Sequence, residues 1–218
     1  VELLLDVMSE IIPLFATPLY KAHIEIPIDV SVACKSEKYY RNTSNNGWMT
    51  TKNIHHESDY FPLMKIIDSH VQEYAYNFLE ISEETKFSCC GSWINLHANV
   101  ENKIDWAPEH WHPNSMISGV VYLDAPPGSG GIKFHCNQHR THLFGSFFDL
   151  KFSKKNRFNT YDLTIPVQTG MIVLFPSTLI HSVPPNTRSI KRYSFAFDYI
   201  PVGVMDTSLN QLTISTGD

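Results

Sequence analysis

Apolar side chains recur at helical spacing in one persuasive stretch, "SDYFPLMKIIDSHVQEYAYNFLE", where Leu63, Ile67, Val71, Tyr74 and Phe78 fall on a single stripe. Ser58 or Asp59 can cap this helix and Pro62 suits its first turn, so the pattern predicts a helix over residues 62–80 with one face to bury. From about residue 88 the period shortens. "SWINLHANV", "MISGVVYLD", "GGIKFHC", "YDLTIPV", "GMIVLFP" and "RYSFAFDYI" are short runs rich in β-branched and aromatic residues, each ending in turn chemistry. "DAPPGSGG", residues 124–131, reads as a hairpin turn between two of them. A leading helical part followed by many short strands predicts a mainly β protein, a jelly roll with helices packed on its outer face.

Alternation along "RYSFAFDYI" puts Arg192, Ser194 and Ala196 on one face, and Tyr193, Phe195, Phe197 and Tyr199 on the other. The aromatic face is expected to lie under the helix. Small residues beside Arg192 leave room in the interior for an anion, whose carboxylate a guanidinium holds with two parallel hydrogen bonds.

Composition narrows the function classes. The 218 residues, 43% hydrophobic, suffice for one sizeable core. With 17 Lys and Arg against 22 Asp and Glu and no basic stripe, no direct nucleic-acid partner is expected. The cysteines, Cys34, Cys89, Cys90 and Cys136, form neither a CxxC pair nor a disulfide framework, which fits a reducing, cytoplasmic setting. "VELLLDVMSEII" carries acids and no basic n-region, so it does not read as a secretory signal. No apolar run approaches the roughly 20 residues that span a bilayer, and no membrane association is expected.

Candidate chemistry begins with "EHWHPNS", residues 109–115, where His110 and His112 stand one residue apart. An HxH occurs by chance, and a metal needs at least a third ligand. His181, in a proline-punctuated loop after "GMIVLFP", is the candidate third. Arg192 follows it by eleven residues. Tyr122 shares parity with His110 and His112 if the strand between them is unbroken, although Pro113 weakens that count.

In this ordered set, "HWHPNSMISGVVYLD", "GSGGIKF", "GMIVLFPSTLIHSVPPN" and "RYSFAFDY", the sequence resembles the Fe(II)- and 2-oxoglutarate-dependent dioxygenases, and among them the bacterial and phage proteins related to prolyl hydroxylases. "IIPLFATPLY", "NNGWMT" and "GSWINLHAN" support the likeness upstream, so it spans roughly residues 11–200. The expected organisation is an N-terminal leader over 1–10, one dioxygenase domain over 11–200 and a tail over 201–218. The resemblance implies a double-stranded β-helix holding Fe(II), with 2-oxoglutarate and O2 as co-substrates and a small-molecule or peptidyl primary substrate; a homodimer is allowed for. It makes His181 the distal iron ligand, Arg192 the clamp on the 2-oxoglutarate carboxylate and Tyr122 its helper.

The departure from the family lies in the proximal pair, normally HxD or HxE. Either His110 and His112 both ligate, giving three imidazoles and no carboxylate, or His112 pairs with Asn114. The first is preferred, because imidazole is the better ligand and i, i+2 spacing on a strand sends both rings to one side, with Glu109 opposite. Two rivals remain: a cupin-like three-histidine metalloprotein that does not use 2-oxoglutarate, and a non-catalytic jelly-roll binding module. Arg188 is the fallback clamp. His23, His55, His56, His70 and His97 are expected to be ordinary hydrogen-bonded residues, and "HCNQHRTH", residues 135–142, an ordinary strand end and loop.

Overall fold

The computed structural model describes residues 12, 16–31, 34, 38–42, 47–100, 103–136, 151–154, 156, 158–186, 190–206 and 209–216. Its strands are β1 (Tyr20–His23), β2 (Tyr40–Asn42), β3 (Gly47–Met49), β4 (Lys86–His97), β5 (Asn99–Val100), β6 (Lys103–Ile104), β7 (Ala107–His110), β8 (Ile117–Asp124), β9 (Gly131–His135), β10 (Asp162–Pro166), β11 (Met171–Pro176), β12 (His181–Val183), β13 (Arg192–Asp206) and β14 (Gln211–Ile214). The helix α1 (Phe61–Gln72) precedes β4.

The strands form a large antiparallel sheet in the order β1-β11-β8-β13-β4-β3-β2, with β14 paired to the far end of β13, and a small one in the order β10-β9-β12-β7. Alternation divides the two faces of the large sheet. Ile172, Leu174, Val121, Leu123, Ile94, Phe195, Phe197 and Tyr199 pack with Leu63, Ile67, Val71 and Tyr74 of the helical segment. Their neighbours Val120, Tyr122, Val173 and Phe175 turn inward and meet Ile132 and Phe134 of the small sheet. This is the predicted jelly roll with its helix outside.

Several local expectations are corrected. Ser58 and Asp59 do not cap the helix; they form a 3-10 turn, Ser58–Tyr60, and α1 starts beyond it with Pro62 in its first turn and no side-chain cap. After Gln72 the helix widens into a π-turn, Glu73–Phe78, where Leu79 N–H donates to Tyr74 O five residues back. That widening moves Phe78 off the buried stripe, leaving it 63% exposed. Residues 124–131 make no hairpin, because β8 and β9 belong to different sheets. They form a corner between the sheets, turned at Gly128 and Gly130, whose φ values are +88° and +99°.

At Gly119 of β8 any side chain collides. An added Cβ would stand 2.4 Å from the Phe197 ring and 2.6 Å from Leu174 Cδ2. Gly119→Ala should therefore destabilise the protein by about 1–3 kcal/mol, the usual cost of overpacking. A thermal melt checks this, at about 2–4 °C per kcal/mol for a chain of this size.

Candidate metal centre

Strand register assembles the three histidines. His181 opens β12, not a loop as the sequence pattern implied, and its Cα pairs with His110 on β7 and with Phe134 on β9. The chain leaves β7 at His110 and turns at Pro113–Asn114, with Asn114 in the left-handed region at φ +58°. The strand is thus broken before β8, so parity counted from His110 to Tyr122 does not hold. His112 is fixed in the turn by its N–H donating to Ser177 O at 3.0 Å. Ring centroids lie 4.3 Å (His110–His181), 5.1 Å (His112–His181) and 5.4 Å (His110–His112) apart. One potential ligand atom from each residue lies within 4.8 Å of the others.

The hydrogen bonds decide which nitrogens face inward. His110 Nδ1 lies 2.8 Å from Pro108 O and His181 Nδ1 3.0 Å from Leu179 O. A carbonyl oxygen only accepts, so both Nδ1 atoms carry the proton and both neutral rings keep a lone pair on Nε2. His112 Nδ1 lies 2.6 Å from Asp198 Oδ1, an acceptor when ionised, which gives the same tautomer. Burial holds His181 neutral, its pKa lowered to about 3, with the adjacent His110 ring adding to the effect. His110 is lowered chiefly by burial as well. Three imidazoles gathered this closely, two of them held neutral by burial, fit a transition-metal ion.

Asp198, which the sequence reading did not single out, brings a carboxylate to this end of the sheet. Ser118 Oγ donates to Asp198 Oδ1 at 2.6 Å, and Asp198 and Ser118 are Cα partners on β13 and β8. Glu109, by contrast, points away from the cluster to His135 Nδ1 at 3.3 Å. Asn114 is exposed in its turn.

Arg192, the first residue of β13, is 2% exposed. Its Nη1 donates to Ser129 O at 3.2 Å and Gly131 O at 3.3 Å, and its Cζ stands 5.7 Å from the centre of the Tyr122 ring. Burial raises the Tyr122 pKa to about 12, so its hydroxyl stays protonated. Gly131 and Phe134, which touch Arg192 and pair with His181 respectively, are three residues apart on β9, roughly 10 Å of strand. The structure therefore places a buried cation one small molecule's length from the histidine cluster. Arg188, His139 and His142 lie outside the described residues.

Residues 91–198 match the family described as "Putative 2OG-Fe(II) oxygenase". These residues belong to the 2OG-Fe(II) oxygenase family. The match is narrower than the 11–200 suggested by resemblance, and it includes His110, His112, His181, Arg192 and Asp198. No curated protein matches the chain. Among solved structures, the non-haem α-ketoglutarate-dependent epimerase SnoN from nogalamycin biosynthesis is 13% identical with a TM-score of 0.56, covering 84% of this chain and 79% of its own. A Pseudomonas putida prolyl-4-hydroxylase is 14% identical with a TM-score of 0.52, over 86% and 94%. HygX from Streptomyces hygroscopicus, solved with nickel, 2-oxoglutarate and hygromycin B, is 11% identical with a TM-score of 0.55, over 85% and 83%. At these identities the oxygenase segment and its flanks share the fold of all three.

Two outcomes follow from the site's electrostatics. Asp198→Asn should leave the fold intact and weaken divalent-metal binding by about 10–100-fold, the usual effect of losing a ligand's carboxylate partner; calorimetric titration with Fe(II) under argon measures it. In metal-free protein, His97 and His181 are both held neutral, to about 3, whereas unfolded histidine protonates near 6.5. Below about pH 6.5 the unfolded chain binds more protons. Stability is therefore full above that pH and falls on acidification toward the folded values, by about 1.4 kcal/mol per pH unit for each group. Urea unfolding at pH 7 and pH 5 checks the sign.

Proposed function

We propose that the protein is an Fe(II)- and 2-oxoglutarate-dependent dioxygenase, with His110, His112 and His181 as the metal ligands and Arg192 as the clamp for the co-substrate's distal carboxylate. The observation that carries this reading is the pairing of three inward lone pairs with a buried guanidinium roughly 10 Å along β9. Iron bound with 2-oxoglutarate supplies the activation of O2 that yields succinate, CO2 and a hydroxylated second substrate.

The chain's own residues bind, orient and shield. Carbonyls of Pro108 and Leu179 and the carboxylate of Asp198 hold the three rings in one tautomer. Phe134 and Phe175 wall the buried side of His181, with ring centroids 6.2 and 4.9 Å away. Arg192 and the protonated Tyr122 hydroxyl fix the far end of the co-substrate, setting which end faces the metal. Hygromycin B bound in HygX, on the same fold, supports a small molecule as the primary substrate. The all-imidazole ligand set also suits a cupin-like metalloprotein without 2-oxoglutarate. A buried arginine facing the interior favours the first reading.

The parent protein with Fe(II) should consume O2 and convert 2-oxoglutarate to succinate. His112→Ala and His181→Ala should each abolish tight Fe(II) binding with an unchanged circular dichroism spectrum. His110→Ala should damage metal binding as well, while Asn114→Ala should not; the reverse order would move the site to His112 and Asn114. Arg192→Ala should bind 2-oxoglutarate at least tenfold more weakly, about 1.4 kcal/mol, with iron affinity unchanged, and Arg192→Lys should recover part of the loss. Iron binding without any affinity for 2-oxoglutarate in the parent would hand the site to the cupin-like reading.

A further inference from the structure

His97 ends β4 opposite Arg192, the residue that opens β13, and the two are Cα partners. Partners in an antiparallel pair project from the same face, here the inner one. His97 is 3% exposed, and among the described residues neither of its ring nitrogens has a hydrogen-bond partner. Arg192 Nε and the buried hydroxyl of Ser129 are likewise without partners. Ser129 belongs to the same spot, since its carbonyl accepts from the Arg192 guanidinium. Orphaned polar atoms from β4, from β13 and from the corner at residues 124–131 thus surround one buried cation.

Other histidines behave differently. His55 Nδ1 bonds Ser92 Oγ at 2.7 Å, and His70 Nδ1 bonds Tyr20 Oη at 2.6 Å. Buried polar groups left unmatched are rare in native proteins and call for a specific explanation. Burial and the adjacent guanidinium keep His97 neutral, so its ring offers one N–H donor beside the arginine's donors and adds no charge. A ligand that satisfies this set brings anionic acceptor oxygens. Gly130, at φ +99°, keeps the space clear, because a Cβ there would stand 3.3 Å from Arg192 Nη1.

We propose that His97 is a specificity residue of the co-substrate subsite, donating a ring N–H to the distal carboxylate that Arg192 clamps and so selecting a 2-oxo diacid over a 2-oxo monoacid. This rests on the dioxygenase reading. A neutral donor fixed by the β4–β13 register adds direction to a charge that would otherwise accept any anion.

The test compares 2-oxoglutarate with 2-oxopentanoate, which keeps the same 2-oxo acid end and carries a methyl in place of the distal carboxylate. Both are titrated into Fe(II)-loaded protein under argon. His97→Leu should weaken 2-oxoglutarate binding at least tenfold, about 1.4 kcal/mol, and change 2-oxopentanoate binding by less than twofold. His97→Gln, which retains an N–H donor, should recover part of the loss. In the unaltered protein labelled with 15N-histidine, 2-oxoglutarate should shift the His97 ring resonances and 2-oxopentanoate should not. Equal losses for both acids, an unchanged 2-oxoglutarate affinity in His97→Leu, or unmoved His97 resonances would overturn the proposal. A parent that binds 2-oxoglutarate through Arg192 but not His97 leaves the dioxygenase reading standing, whereas a parent with no iron-dependent affinity brings down both.

Discussion

The orientation of three imidazole rings governs this site. His110, His112 and His181 each direct Nδ1 at an oxygen of the protein, and each thereby frees Nε2 toward the other two. The carbonyls of Pro108 and Leu179 lie two residues before the histidines they orient, so two of the three constraints are local to a strand end. The third is long-range, reaching from His112 to Asp198 across 86 residues of sequence, and depends on the large sheet being in register. A slip of one residue in β13 would send Asp198 to the outer face and bring an aromatic residue inward.

The same strand carries both charged ends of the interior. Asp198, beside the histidines, and Arg192, six residues earlier, alternate onto the inner face with Ser194 and Ala196 between them. An anionic partner behind His112 and a cation at the far end suit a ligand that chelates with one end and carries a carboxylate on the other. The opposite face of β13 contributes Phe195, Phe197 and Tyr199 to the core under the helix. Apolar packing on the outer face thus fixes the polar positions on the inner one.

Periodicity made much of this legible in the sequence. Alternation in "RYSFAFDYI" separated Arg192 from the aromatic residues correctly, because one face of that strand is packed under a helix and the other is lined with small residues. The pair His110 and His112 was visible as spacing, and His181 through its order relative to Arg192. What stayed hidden depended on partners distant in sequence. Nothing local in "AFDY" marks Asp198 as the partner of a histidine. His97 looks like any strand histidine until its lack of partners is set beside the burial of Arg192. The corner at residues 124–131 has the chemistry of a hairpin turn, and only the separation of β8 and β9 into different sheets shows otherwise. The π-turn after Gln72 arises from packing, and helical spacing does not reveal it.

The ligand set proposed for the iron contains imidazole alone from the protein, with a carboxylate, Asp198, standing behind His112 instead of on the metal. X-ray absorption at the iron edge of the Fe(II)-loaded protein tests it most directly, since imidazole rings give a distinctive multiple-scattering pattern that can be counted. The parent should show three imidazoles bound to the iron, and His110→Ala two. A protein carboxylate bound to the iron, or a count of two imidazoles in the parent that His110→Ala leaves unchanged, would contradict it.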